Sequence, residues 1–230
     1  MTRCLAMPWL LALCMPMAAQ ALEVKIDAHA DLLYRQALPL LEQADAQSEN
    51  SALLPTAAQD PELSRQGQAM AHTLPTAVAL LKKSVALGHP VAKYRLALYY
   101  MTYLPAAEIP DAACPLLEES LSQGFAPPAS AIATWCPPYN GSPAYREALD
   151  ALPGMATLYA AYYPQPAAVL ACSRKQPQGL AMLWGGQRGF QAEIYRLLGD
   201  LDPTRRQALW QKAVEINGCA TAQQRLTSYR

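Results

Sequence analysis

The sequence predicts an all-α protein assembled from stacked antiparallel helix hairpins, and three observations carry that expectation. Glycines recur at long, nearly regular intervals, and amphipathic stretches of helical period flank them. No period-2 run of β-branched residues extends beyond a few positions, while alanine and leucine dominate. The 230 residues suffice for a packed core, and a content of 52% hydrophobic and 16% charged residues excludes a disordered or polyionic tail. Basic and acidic residues balance at 18 each, with neither sign in a block, so the footprint of a nucleic-acid binder is missing. The 20 prolines exceed the ordinary share of about 5%, and imply many short elements, of the order of ten to twelve helices, with hard stops between them.

The first element is not expected to belong to the fold. Arg3 supplies a small positive n-region, Cys4 to Ala19 form an apolar run, and Ala19-Gln20-Ala21 has the small-x-small form of a signal peptidase site. This predicts a signal peptide over 1–21 and a mature chain starting at Leu22. A transmembrane anchor is the alternative, but Pro8 and Pro16 interrupt the run, which falls short of ~18 to 20 uninterrupted apolar residues. A lipoprotein anchored at Cys14 is another, because Leu11-Ala12-Leu13-Cys14 has a lipobox outline; Leu13 is too large for the small residue expected there. No other segment is apolar enough to cross a bilayer, so the expected location is periplasmic or secreted.

Residues 22–74 read as N-terminal helices and a polar linker: a helix near Asp27 to Gln47, a linker around Ser48 to Gln59, and a helix from Asp60 to about His72. The repeat region is expected over 75–230. Anchored at Gly88, similar glycines recur at Gly124, Gly154, Gly189 and Gly218, with spacings of 36, 30, 35 and 29 residues. Eight residues past four of them stands a branched aliphatic: Leu96, Ile132, Leu197 and Leu226. Eleven past three of them stands an aromatic: Tyr99, Trp135 and Tyr229. The Gly154 unit is the weak member, with Tyr162 and Gln165 at those places.

One unit shows the physics. Ala77, Leu80, Leu81, Ser84 and Val85 lie on one helical face, with Lys82 and Lys83 on the other. Gly88 stands where a helix C-terminus needs positive φ, and Pro90 suits the first turn of the next helix. That second helix carries Val91, Ala92, Leu96, Leu98 and Tyr99 and is apolar on more than one side, as an element sandwiched between neighbours must be. Such a hairpin cannot bury its faces alone and has to stack. Asp60-Pro61, Ser142-Pro143 and Asp202-Pro203 each place a capping side chain before a proline at an expected helix start.

The segment from Leu80-Leu81-Lys82-Lys83 through Gly88 to Tyr99-Tyr100 resembles the Sel1-like repeat, a relative of the tetratricopeptide repeat. Leu116-Leu117-Glu118-Glu119 through Gly124 to Trp135 resembles a second copy, and Trp210-Gln211-Lys212-Ala213 through Gly218 and Ala222 to Leu226 a third. The copies depart from the pattern where Pro128 replaces an alanine and where Gly185 and Gly186 fall in the first helix of the Gly189 unit. The resemblance covers roughly Pro75 to Tyr229. It implies a right-handed α-solenoid and, for exported bacterial members, roles as adaptors or assembly factors in the cell envelope.

Loss of the signal removes Cys4 and Cys14 and leaves Cys114, Cys136, Cys172 and Cys219, an even number that reads as two disulfides with three possible pairings. A zinc site is the competing reading, but there is no CxxC pair and no histidine near a cysteine in sequence. Cys114 lies at the start of one helix and Cys136 at the end of its antiparallel partner, where the ends adjoin, so these two are expected to pair. Cys172 and Cys219 are then left for each other. Exported Sel1-like proteins rich in cysteine clamp their hairpins in the same way.

Catalytic motifs are missing: no HExxH, no GxSxG, no phosphate-binding glycine loop. His89 reads as a cap at a helix junction rather than a general base, and His29 and His72 have ordinary helical settings. Tyr94, Tyr99, Tyr100 and Tyr103, and again Tyr159, Tyr162 and Tyr163, cluster at helical spacing; half of them suit the core and the rest suit contact anchors for a peptide or a sugar. Lys82, Lys83, Glu118 and Glu119 read as solvated faces and as the candidate partner-binding residues. The expected function is an exported, non-enzymatic scaffold that binds a protein or peptide partner, with no cofactor or metal. The alternative is a cell-wall-directed enzyme or a binder of carbohydrate or β-lactam on the same frame.

Overall fold

A computed structural model of the chain describes residues 26–52, 61–167, 169–173 and 183–228. The expected signal peptide, Cys4, Cys14, Asp60 and Tyr229, and most of the expected linker, lie outside the described residues. The described chain is mostly helical. Its helices are α1 (Ala28–Ala52), α2 (Pro61–Ala86), α3 (Pro90–Tyr103), α4 (Ile109–Ser122), α5 (Pro128–Trp135), α6 (Pro137–Asn140), α7 (Pro143–Ala151), α8 (Gln187–Leu201), α9 (Arg206–Asn217) and α10 (Ala220–Ser228). Helices consecutive in sequence pack on one another through α1 to α5 and again through α8 to α10. None is long and apolar enough to cross a membrane among the described residues.

Three glycines do what their positions demand. Gly88, Gly124 and Gly218 have φ of +85°, +87° and +70°, a region open to glycine at little steric cost. At the first two the helix closes with a long return bond, His89 N–H to Ser84 C=O and Phe125 N–H to Ser120 C=O, and with Gly88 N–H to Val85 and Gly124 N–H to Leu121. Gly218 makes the simpler closure, its N–H donating to Val214 C=O. Each then delivers the chain into the next helix after one residue, as Pro90 and Ala220 mark, or after three, as Pro128 marks.

Gly154 and Gly189 depart from expectation. Gly154 lies in a 3-10 turn, Leu152–Met155, and Gly189 in the first turn of α8, and neither has positive φ. Among the described residues, the unit between them is not a helix pair. It folds as the 3-10 turn Ala160–Tyr162, a cis Tyr163–Pro164 bond, and a two-stranded antiparallel sheet of β1 (Gln165–Ala167) and β2 (Leu183–Gly185), paired Gln165 to Gly185 and Ala167 to Leu183. Gly185 and Gly186 therefore end a strand and cap α8 instead of interrupting a helix. A side chain on Gly185 would collide with the Phe190 ring, which packs on it at 2.5 Å from the Cβ site.

The expected boundary between 74 and 75 falls within α2, which carries Pro75 inside it. Pro39 in α1 and Pro115 in α4 are tolerated likewise. All three proline side chains are exposed, and on a solvent-facing side of a helix water can serve a carbonyl that a proline leaves unpaired. Ser142 caps α7 as expected, its Oγ accepting from Tyr145 N–H at 3.1 Å. Asp202 does not cap a helix at once: it ends α8 and its carboxylate accepts from Thr204 and Arg205 N–H, holding a turn before α9 starts at Arg206.

Candidate functional site

Cys114 and Cys136 are bonded as the hairpin geometry predicts, and Cys172 and Cys219, left over from that pairing, are bonded to each other. Cys114 in α4 is bonded to Cys136 at the end of α5, with a Cα separation of 5.8 Å. Cys172, after β1, is bonded to Cys219, between α9 and α10, at 4.3 Å. The second bond ties the sheet region to the last hairpin. Beside it Glu193, 1% exposed, accepts from Cys172 N–H and from Arg196, whose other arm reaches Asp200 at 2.7 Å.

His89 is the hub of a buried polar cluster that joins α1 to the turn before β1. Its Nδ1 accepts from Ala92 N–H at 3.3 Å, which caps α3, so its proton lies on Nε2, 3.4 Å from Asp31 Oδ1. Tyr162 donates to the same Asp31 oxygen at 2.8 Å, and Arg35 Nε donates to the other at 2.7 Å. Burial alone would raise the Asp31 carboxyl, but the bonds from Arg35, Tyr162 and His89 together hold it below the usual carboxylate range. Burial depresses His89 below its ordinary value against the pull of Asp31, which favours the neutral imidazole. Tyr34 stacks on His89 with ring centroids 4.8 Å apart, and burial pushes its hydroxyl up.

Next to this cluster a cleft of about 180 Å³ opens between α1, α3 and the β1–β2 pair. Tyr34, Arg35 and Glu42 line it from α1, Arg95 from α3, Gln165 from β1 and Trp184 from β2. Arg95 is 6% exposed, pairs with Asp45 at 3.1 Å, and lies 5.6 Å above the centre of the Trp184 indole. Trp184 itself is 40% exposed. Gln165 is 3% exposed; its amide N–H groups go to Tyr34 Oη at 3.3 Å and to Tyr162 C=O, and its Oε1 is buried with no partner among the described residues. The wall thus offers an acceptor without a donor, two arginines already neutralised by carboxylates, and an indole open to solvent.

The residues singled out from sequence lie elsewhere. Lys82 and Lys83 are exposed on α2, the Lys82 Nζ 6.0 Å from the Tyr100 ring centre. Glu119 is exposed on α4 but pairs with Lys93 at 2.8 Å, and Lys93 also donates to Gln123 Oε1, so Glu119 links α4 to α3. Glu118 is half-buried and its carboxyl is raised by burial. Of the tyrosines, Tyr94 and Tyr159 are core residues whose hydroxyls donate to Pro166 C=O and Gln123 C=O, while Tyr103 is 46% exposed. Sequence reasoning passed over Asp31, Arg95, Gln165 and Trp184. The one available signal was Arg95 on a helix that is apolar nearly all round, a position at which a charge must find a partner. No family model, curated protein or solved structure matches the chain at a significant level.

Proposed function

We propose that the chain is an exported, non-catalytic binding module of the Sel1-like, tetratricopeptide-related kind, whose hairpins stack into a right-handed α-solenoid and receive a protein or peptide partner of the cell envelope. The observation that supports this reading is the common construction of three turns. Gly88, Gly124 and Gly218 each close a helix in the left-handed region and release the chain into a second helix, with buried Leu96 and Ile132 at the same distance beyond the first two. Two bonded cysteine pairs favour an oxidising compartment, which accords with the signal-like N-terminus. His89 supports binding over chemistry, since one ring nitrogen is committed to a cap and the other faces Asp31.

Lys82 and Lys83 give the cleaner test, because Glu119 is occupied by Lys93. A photocrosslinking amino acid at position 83, in the native envelope, is expected to trap a discrete partner, and the double substitution K82E/K83E to abolish that product while the circular dichroism stays unchanged. Retention of every crosslinked product by the folded variant would remove this surface from the function. The small-ligand alternative has separate support in the cleft beside Trp184.

A further inference from the structure

We propose that the cleft between α1, α3 and the β1–β2 pair is a binding site for one ring of a neutral saccharide. The chemistry of its wall selects the class. Both guanidinium groups are already paired, Arg35 with Asp31 and Arg95 with Asp45, so neither calls for an anion. Their remaining N–H groups are still donors, since each cited ion pair uses a single nitrogen of a five-donor fork. The same wall carries acceptors, the exposed carboxylate of Glu42 and the Oε1 of Gln165, which has no partner among the described residues.

A ligand that meets donors and acceptors on one wall must carry groups that do both, and hydroxyl is the group that donates and accepts through one atom. An ammonium or guanidinium ligand would satisfy Glu42 and Gln165 but carries donors alone, and so would leave the remaining N–H groups of Arg35 and Arg95 without acceptors. The Trp184 indole, 40% exposed and part of the cleft lining, adds an apolar plane whose face away from Arg95 suits the C–H face of a pyranose. A cavity of about 180 Å³ takes one such ring and is short of the several hundred Å³ of a drug-sized pocket. The ring would lie with its hydroxyl edge toward Arg95 and Gln165 and its face on Trp184. This reading stands apart from the protein-partner surface at Lys82 and Lys83, which lie on α2 outside the cleft.

The test uses the full mature chain with cellotriose, maltotriose and chitotriose as probes, and saturation-transfer NMR and calorimetry as readouts, so that loss of a tryptophan does not remove the signal. At least one trisaccharide is expected to bind with a Kd below about 10 mM. Trp184→Ala and Glu42→Gln, both at exposed positions, are expected to weaken it at least about tenfold and about threefold respectively with unchanged circular dichroism. K82E/K83E is expected to bind as wild type. Spermidine provides the cation arm. Absence of binding by all three sugars, binding that survives Trp184→Ala in full, or spermidine binding that Glu42→Gln abolishes while the sugars give nothing, would each overturn the assignment.

Discussion

At the scale of single residues, Asp31 and His89 make the stability of the molecule depend on acid. Asp31 is held below its ordinary value of 3.8, so its contribution is complete above that pH and is lost as pH falls through the folded value. His89 is held below 6.5, so the unfolded chain gains a proton first; stability begins to fall under that pH and continues down to the folded value. The other groups facing this pair are Tyr162, Arg35 and Tyr34, and none of them changes charge between pH 5 and 7.5. His89→Asn keeps an N-cap acceptor without a titrating group, and is expected to flatten the stability profile between pH 6.5 and 5 in urea titrations. An asparagine variant that loses as much stability as wild type across that interval would show that the imidazole is not responsible. Asp31→Asn is expected to cost about 1 to 3 kcal/mol at pH 7, because it replaces an acceptor of three charged or polar donors. His89 was legible as a cap from Gly88-His89-Pro90 alone. Its partners were not, since Asp31 is 58 residues away and Tyr162 is 131 residues from Asp31.

At the scale of elements, what sequence could read was the hairpin, and what it could not read was the glycine that only looks like a hairpin glycine. Spacing put Gly154 and Gly189 in one series with Gly88, the Gly154 unit as its weak member; one is in a 3-10 turn and the other inside α8. The distinction lies in backbone sign, and three alanine substitutions expose it. Gly88→Ala has open space for a Cβ and bears only the left-handed strain of about 1 to 2 kcal/mol. Gly124→Ala bears the same strain and also drives its Cβ to 2.6 Å from Met155 Sδ, so it is expected to be the more destabilising. Gly154→Ala has open space and ordinary φ, and is expected to be neutral or stabilising by up to about 1 kcal/mol. Denaturant midpoints in that order are the expected result; equal losses at all three positions would contradict the account. The strands β1 and β2 escaped prediction for a related reason. They are three residues each, and β1 contains Pro166, which cannot donate and whose carbonyl is taken by Tyr94 instead of a strand. The two disulfides are the opposite case: helix direction pointed to Cys114 with Cys136, 22 residues apart, and elimination left Cys172 with Cys219, 47 residues apart. Replacing either pair by alanine is expected to cost about 3 to 4 kcal/mol in chemical denaturation, with the two differing by less than about 1 kcal/mol.

At the scale of the whole molecule, the N-terminal helix is part of the body it was expected only to precede. Composition suggests a boundary after residue 74, where polar residues give way to the regular unit, but the contacts cross it at every level. Ser84, fully buried, donates from Oγ to Ala30 C=O at 2.7 Å. Arg95 reaches Asp45, and Tyr162 and His89 both reach Asp31. Tyr34, Ala37 and Leu41 of α1 belong to the same apolar core as Leu81, Val91 and Tyr94. A chain beginning at Pro75 would therefore uncover Ala77, Leu81 and the face of His89 against which Tyr34 packs, and would take from Arg95 both its carboxylate and the α1 wall beside it. Because a domain of this size is stable by only about 5 to 15 kcal/mol, that truncation is expected to abolish the cooperative thermal transition rather than shift it. Adding back a peptide spanning 26–52 is expected to restore part of the helical signal if α1 docks through these contacts. A truncated chain that melts cooperatively within a few degrees of the full one would show that α1 is an appendage, and would also take away the wall of the cleft that Tyr34, Arg35 and Glu42 supply.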